Sequence, residues 1–343
     1  MKSTKRIFFH DIVGKASKET TTQKPVEFRG TSATEFARWE KEFRTVLRKT
    51  VGPSGAVPLR PAVVERREFR DYIREKVIYD VEQGLSACAW LCRPKKTAGN
   101  KKLPAVVVCH GHGPGKDPLI GLFGGIPTVE YHKMVSVRLA RAGYVTLSPD
   151  RRGYGDCSSF IKGYPLATDL TALDSFYRKT RGVPLLALNV RDTFRAADFL
   201  AGRTDVDPGR IGCFGIESGA AVASVAAALD DRIKAVSLTT FLKEEADGRG
   251  TDMLYSPGIS LAPLLEGKGG PLDVCALVCP RPIQIQLPEA DPVISPVTAR
   301  RAFKRLKRLY GLAGVASQCE ESVFDGVIEL DFGSLAAFFD RRV

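Results

Sequence analysis

The spacing of apolar positions begins with a helical signal. Ser32 and Glu35 in "SATE" form a capping box, and Phe36, Trp39, Phe43 and Leu47 follow at helical spacing until Gly52 and Pro53 stop the run. Such an aromatic stripe has to be buried, on the main body of the chain or on a partner subunit. A second short helix is expected in "VVERREFRDYIRE", residues 63–75. From Lys76 the pattern changes to strands: "KVIYDVE", "LSACAWLCR", the near-continuous apolar "PAVVVCH" and the similar "GYVTLSPD". Runs without alternation predict strands covered on both faces, hence a mostly parallel sheet. The intervening "TVEYHKMVSVRLARAG" predicts a helix closed by Gly143. Further along come helix "NVRDTFRAADFLAG", strand "IGCFG", helix "SGAAVASVAAALD", strands "KAVSLTT" and "PIQIQLP", and the basic amphipathic helix "PVTARRAFKRLKRLYG". "SQCEESVF" and "FGSLAAFFDRRV" supply a last strand and helix. This alternation predicts an α/β fold built on a doubly wound, mostly parallel sheet. Residues 1–75 read as an N-terminal arm and helical extension, and residues 76–343 as the α/β domain. Long connections near 156–187 and 241–272 are expected to form lids.

Composition narrows the classes. At 44% hydrophobic and 26% charged the values are those of a soluble chain, and no apolar run approaches the roughly 20 residues that span a bilayer. The N-terminal "IFF" is too short for a signal-peptide core, so a cytoplasmic protein that avoids membranes is expected. The formal net charge is +12, and residues 1–75 carry 17 Lys/Arg against 10 Asp/Glu, which puts over half of the excess in the first fifth. The basic residues alternate with Glu in "FARWEKEFRTVLRKT", the pattern of a solvated helix face, so nucleic acid is not the expected partner. A small-molecule substrate is, and a homodimer through the N-terminal extension stays open. Cys88/Cys92 and Cys275/Cys279 share a C-x-x-x-C spacing in apolar segments without adjacent His, so the eight cysteines read as buried free thiols and no metal or cofactor is expected.

Three glycine-bearing junctions follow strands: "HGHGPGK", "RRGYGD" and "GIESGA". Ligands of open α/β sheets bind at the carboxyl ends of the strands, so all three should face one crevice. "CHGHGPGKD", "SPDRRGYGD", "NVRDTFRAADFL" before "VDPGRIG", and "CPRP" leading into a strand stand in an order that resembles the α/β-hydrolase superfamily, in its acetyl-xylan-esterase and dienelactone-hydrolase-like branch. The resemblance runs from about Lys76 to the C-terminus and more weakly includes the N-terminal helices. It implies that Gly215 and Gly219 pinch a turn presenting residue 217, where the family has its nucleophilic Ser and this chain has Glu217. It also implies an oxyanion hole from the Ser218 N–H and an N–H near His112 or Gly113, with the family's acid at Asp291 in "LPEADPV". The family's histidine position, in "DGVIEL", carries Ile328. The four histidines are His10, His110, His112 and His132, none downstream of the turn.

A Ser-His-Asp relay needs an imidazole to take and return the proton, so a conventional serine esterase is not expected. The expected function is non-hydrolytic acid/base chemistry: cyclisation, isomerisation, elimination or decarboxylation of a small, biosynthetic substrate, with Glu217 moving protons beside the backbone oxyanion hole. Two alternatives stand beside it. One is a pseudo-hydrolase that binds a ligand or an assembly partner; the other is a hydrolase of an ester, epoxide or C–C bond that uses Glu217. His110 and His112 are candidate catalytic stand-ins or loop-shaping rings. Lys116 is a candidate for an anionic substrate group, Arg152 and Asp156 for loop fixing or substrate contact, and Tyr154 for a pocket wall. A salt bridge tying Glu217 away, for example to Arg152, would favour the pseudo-hydrolase.

Overall fold

The computed structural model describes residues 28–55, 57–95, 101–122, 131–158, 170–243, 261, 265, 269–292 and 294–343. Helix α1 (Ala33–Val51) is capped as the sequence predicts, with Ser32 accepting from the Glu35 N–H and Glu35 reaching back to the Ser32 N–H. Gly52 ends it at φ 71° with its N–H on Arg48 O at 2.8 Å. Phe36, Phe43 and Leu47 are buried in the core of the same chain, and Trp39 stacks between Phe28 and Phe43.

The second expected helix does not form. Residues 63–75 instead make most of strand β1 (Ala62–Glu68) and the start of strand β2 (Tyr72–Glu82), paired antiparallel with Arg66 opposite Glu75. Phe69 stacks on Tyr72 where the chain turns, and Arg66 forms an ion pair with Glu75 across the strands. Phe69, Tyr72 and Ile73 stand at i, i+3 and i+4 and fit a helix face locally. Cross-strand partners that a local pattern does not contain decide for the sheet.

Strands β3 (Leu85–Pro94), β4 (Leu103–Cys109), β5 (Val145–Pro149), β6 (Val206–Ile216), β7 (Ile233–Thr239), β8 (Ile283–Pro288) and β9 (Cys319–Phe324) complete a nine-stranded sheet of order β1-β2-β3-β5-β4-β6-β7-β8-β9. β1, β2, β3 and β5 pair antiparallel in succession, and every pairing from β5 through β4 and β6 to β9 is parallel. The order reverses around β4, which places the crevice at the ends of β4, β5 and β6. Strand residues alternate between two cores. Val107, Cys109, Ile211 and Cys213 face α4 (Leu185–Ala201) and α5 (Ser218–Leu229), while Val106, Val108, Phe214 and Ile216 face α2 (Val135–Arg141) and α8 (Phe332–Arg342). Helices α3 (Leu170–Arg181), α6 (Pro271–Ala276) and α7 (Pro296–Leu312) complete the layers.

α2 is shorter than the sequence predicts. Lys133 and Met134 take positive φ values of 44° and 51°, so the helix starts at Val135 and Tyr131 and His132 are released toward the crevice. Of the expected lids, residues 159–169, 244–260, 262–264 and 266–268 lie outside the described residues. The described part of the stretch 156–187 includes α3, whose Asp174 accepts the Leu185 N–H at 2.7 Å. Residues 1–27 of the expected arm also lie outside the described residues. All eight cysteines are free thiols, buried except for the half-buried Cys157.

Candidate functional site

The turn between β6 and α5 follows from two glycines. A Cβ on Gly219 would lie 2.3 Å from the carbonyl oxygens of Cys109 and His110, and one on Gly215 would lie 2.6 Å from the Ala220 Cα. Helix α5 therefore seats directly on the end of β4. Between these glycines Glu217 takes φ 50° and ψ −122°, a conformation that strains a side chain bearing a Cβ. Its N–H donates to Thr239 O at 3.1 Å, which ties the turn to the end of β7.

Glu217 is 7% exposed, and its side chain turns toward the loop after β4. Oε2 accepts the His112 N–H at 2.9 Å and the Tyr131 hydroxyl at 3.1 Å, and the His112 Nδ1 lies 3.7 Å away. Gly111 makes room for the carboxylate, since a Cβ there would stand 2.4 Å from Oε2. Burial pushes the carboxyl upward in pKa, but the His112 ring and N–H and the Tyr131 hydroxyl outweigh it and hold Glu217 below its ordinary value. The group is an anion at neutral pH. It occupies an N–H, that of His112, which the family resemblance implies for an oxyanion hole. Ser218 opens α5, so its N–H is among the helix-terminal donors without an intrahelical acceptor.

Two neutral histidines brace this loop. His110 is fully buried: Nε2 accepts the Arg151 N–H at 3.1 Å, which leaves Nδ1 to donate to Gly111 O at 2.7 Å. Burial and then the Arg151 charge push His110 well below its ordinary pKa. His132 Nε2 accepts the Gly111 N–H at 3.0 Å, and burial pushes it down to about 3. Tyr131 also contacts the His112 carbonyl. Gly113 takes φ 119°.

The "RRGYGD" loop divides its two arginines. Arg152 points away from Glu217: Nε and Nη2 grip Asp192 at 2.7 Å each, Nη2 reaches Glu82 at 2.6 Å, and the Arg152 N–H donates to Asn189. Arg151 stays at the site, with Nη2 donating to Ser218 Oγ at 2.8 Å and Gly111 O at 3.0 Å and its guanidinium 4.5 Å from the centre of the Tyr154 ring. Lys116 is 1% exposed and is held by Asp150 at 2.6 Å and Asp156 at 2.5 Å, with Lys76 2.7 Å from Asp156. That network fastens the two loops together and encloses the ammonium that the sequence offers to an anionic substrate.

Asp291 ends up beside the loop that follows β9. Its Oδ1 accepts the Ile294 N–H at 3.0 Å, and the neighbouring Ala290 N–H donates to Gly326 O at 2.9 Å. Asp291 lines a shallow pocket with Thr240, Phe241, Leu242 and Gln286. Ile328 is half-buried, and the next residue's carbonyl, Glu329 O, accepts the Thr239 hydroxyl at 2.9 Å. Thr239 thus links the Ile328 loop to the Glu217 turn. No hydrogen bond joins Asp291 to Glu217 among the described residues.

Sequence reading missed Arg151, Tyr131 and His132. Arg151 stands beside the arginine it singled out, and Tyr131 and His132 sit in a stretch that reads as helix. Among the described residues no group of His, Cys, Asp or Glu is arranged to hold a metal ion, and no helix is long and apolar enough to cross a membrane.

A mostly parallel sheet with a glycine-pinched strand-to-helix turn beside a glycine-rich loop defines the α/β-hydrolase class. The family model for acetyl xylan esterase (AXE1) matches residues 39–244, and the chain belongs to that family. A putative hydrolase, YtaP, from Bacillus subtilis (strain 168) is 32% identical over 175 residues, 50% of this chain and 53% of that protein, so the chain spans about half the length of this relative. Among solved structures, a putative acetyl xylan esterase (BF1801) from Bacteroides fragilis NCTC 9343 superposes with TM-score 0.72 at 18% identity, over 95% of this chain and 84% of the other. Methylesterase BT1017 gives 0.68 at 19% over 95% and 66%, and acetyl xylan esterase 1 from Thermoanaerobacterium sp. JW/SL YS485 gives 0.55 at 16% over 95% and 98%. At these identities the structures establish the fold.

Family membership overturns the expectation of non-hydrolytic chemistry. An esterase family adds water across an ester, so cyclisation, isomerisation, elimination and decarboxylation, and the biosynthetic role attached to them, are set aside.

Proposed function

We propose that the chain is an ester hydrolase that works with water and the Glu217 carboxylate in place of a serine nucleophile. The observation that carries the reading is the position of Glu217: an anion, buried, at the turn above the sheet and beside backbone N–H donors. Among the described residues its Oε1 makes no hydrogen bond, so this oxygen is the acceptor for a water proton. As Glu217 takes that proton, the water oxygen adds to the ester carbonyl. The developing oxyanion meets the Ser218 N–H, and the His112 N–H once Oε2 turns from it. Collapse breaks the bond to the alcohol oxygen, which takes the proton back from Glu217. Acid and alcohol leave, and the carboxylate is restored. This route needs no covalent enzyme ester and no imidazole to release one.

A second reading is favoured by the same contact. With Oε2 filling the His112 N–H, the site could hold a ligand without turning it over. Hydrolysis of 4-nitrophenyl acetate by wild type and Glu217→Gln separates the two. The glutamine variant should fold and lose about 100-fold or more in kcat/KM, the lower range for removal of a general base. Equal rates would remove Glu217 from the reaction, and no rate above buffer in wild type would leave the binding reading. A serine-directed fluorophosphonate should not label the protein; stoichiometric labelling at Ser218 would overturn the water mechanism.

A further inference from the structure

We propose that Arg151, with Tyr154, forms a recognition site for a small carboxylate. Arg151 is 4% exposed, and no carboxylate among the described residues is close enough to form an ion pair with it. Only Nη2 is used, on Ser218 Oγ and Gly111 O, while Nε and Nη1 are buried with no hydrogen-bond partner among the described residues. A further orphan stands in the same cluster. The Tyr154 hydroxyl is buried with no hydrogen-bond partner among the described residues, and the Tyr154 ring lies under the Arg151 guanidinium. One unpartnered polar atom is ordinary, whereas several gathered around an unpaired buried cation are costly unless something bonds them.

The missing partner has to be an anion, because the guanidinium offers only donors and carries a fixed charge. Glu217 does not serve: it forms no ion pair with Arg151, and its Oε2 is engaged by the His112 N–H and Tyr131. Small size follows from the enclosure: Tyr154 is 7% exposed and Arg151 still less. A carboxylate suits these limits, and for an ester hydrolase it has two sources, the acid product of hydrolysis or a second, free carboxylate on the substrate. Only this choice of source rests on the ester-hydrolase reading.

The test is a titration of the intact chain with acetate at constant ionic strength, with acetamide as the neutral control. The arginine Nε–H signals are followed in protein labelled with nitrogen-15 at arginine. Acetate should bind saturably and shift the Arg151 Nε–H signal, identified by its absence from Arg151→Lys, and acetamide should do neither. Arg151→Gln should weaken acetate binding tenfold or more, and Tyr154→Phe, which keeps the ring and removes the orphaned hydroxyl, about two- to tenfold. No saturable acetate binding by folded wild type, or an Nε–H signal that ignores acetate, overturns the proposal. Should neither Arg151 variant fold, wild-type binding that is weakened in Tyr154→Phe supports the site, and binding unchanged there overturns it. Turnover separates the sources. A preference for 4-nitrophenyl hemisuccinate over 4-nitrophenyl acetate that Tyr154→Phe reduces assigns the carboxylate to the substrate, and inhibition by acetate without such a preference assigns it to the product. Acetate binding without hydrolysis of either ester retains the carboxylate site and removes the esterase reading.

Discussion

At Glu217 the hydrogen bonds that orient the carboxylate also make its protonation state part of the fold. Its pKa is held below the ordinary value because the charged form is bound by the His112 N–H, the His112 ring and Tyr131 against the penalty of burial. A lowered folded-state pKa contributes stability that is fully present above the unfolded value of about 4.3 and is lost as pH falls through the folded value. The Tm of wild type minus that of Glu217→Gln should therefore stay level from pH 7 to about 5 and decrease on further acidification. A difference that grows with acid would mean that the carboxyl is bound in its protonated form. What was legible at this scale was residue type and phase: the glycines at 215 and 219 place a glutamate at the tip of a turn. The partner of that glutamate was not legible. Arg152 is the arginine in the family-like motif, yet its guanidinium goes to Asp192 on α4, and Glu217 is met by a backbone N–H and by Tyr131.

At the scale of elements, the loops after β4 and β5 are held as one unit by Asp150. Its Oδ1 accepts the Lys116 N–H at 2.8 Å and its Oδ2 the Asp156 N–H at 2.8 Å, while Lys116 Nζ closes the pair. Gly115 and Gly155 admit the carboxylate, since a Cβ on either would stand 2.3 Å from Asp150 Oδ1. Lys116→Met should leave that carboxylate buried without its cation and cost about 3–5 kcal/mol, read as a lower urea midpoint. An unchanged midpoint would show that the ammonium is not structural. The sequence shows Lys116 at the end of a glycine-rich loop but not Asp150, 34 residues on, lying against it. The same limit explains residues 63–75. The spacing of Phe69, Tyr72 and Ile73 suits a helix, and only the pairing of β1 with β2, including Arg66 with Glu75, makes strands of the stretch.

For the whole molecule, α1 is part of the core. Phe43 is 4% exposed and packs with Trp39 and against Gly269, where a Cβ would stand 2.7 Å from its ring. Arg44 reaches the carbonyls of Ala228 and Leu277, at the ends of α5 and α6. Phe43→Ala should cost about 3–5 kcal/mol in urea unfolding, the range for emptying a buried aromatic site, and an effect below about 1 kcal/mol would mean that α1 is a detachable arm. By itself the sequence determined the alternation of strand and helix, the parallel core of the sheet, the capped first helix and the glycine turn carrying Glu217. Those features rest on periodicity, capping and backbone sterics, which act over a few residues. Only the tertiary structure decided that Glu217 bonds to His112 and Tyr131, that Lys116 and Arg152 are enclosed by carboxylates, and that Arg151 is left at the site with unused donors. Each of these outcomes depends on groups far apart in sequence meeting at the ends of β4, β5 and β6, where burial makes every unmatched charge costly.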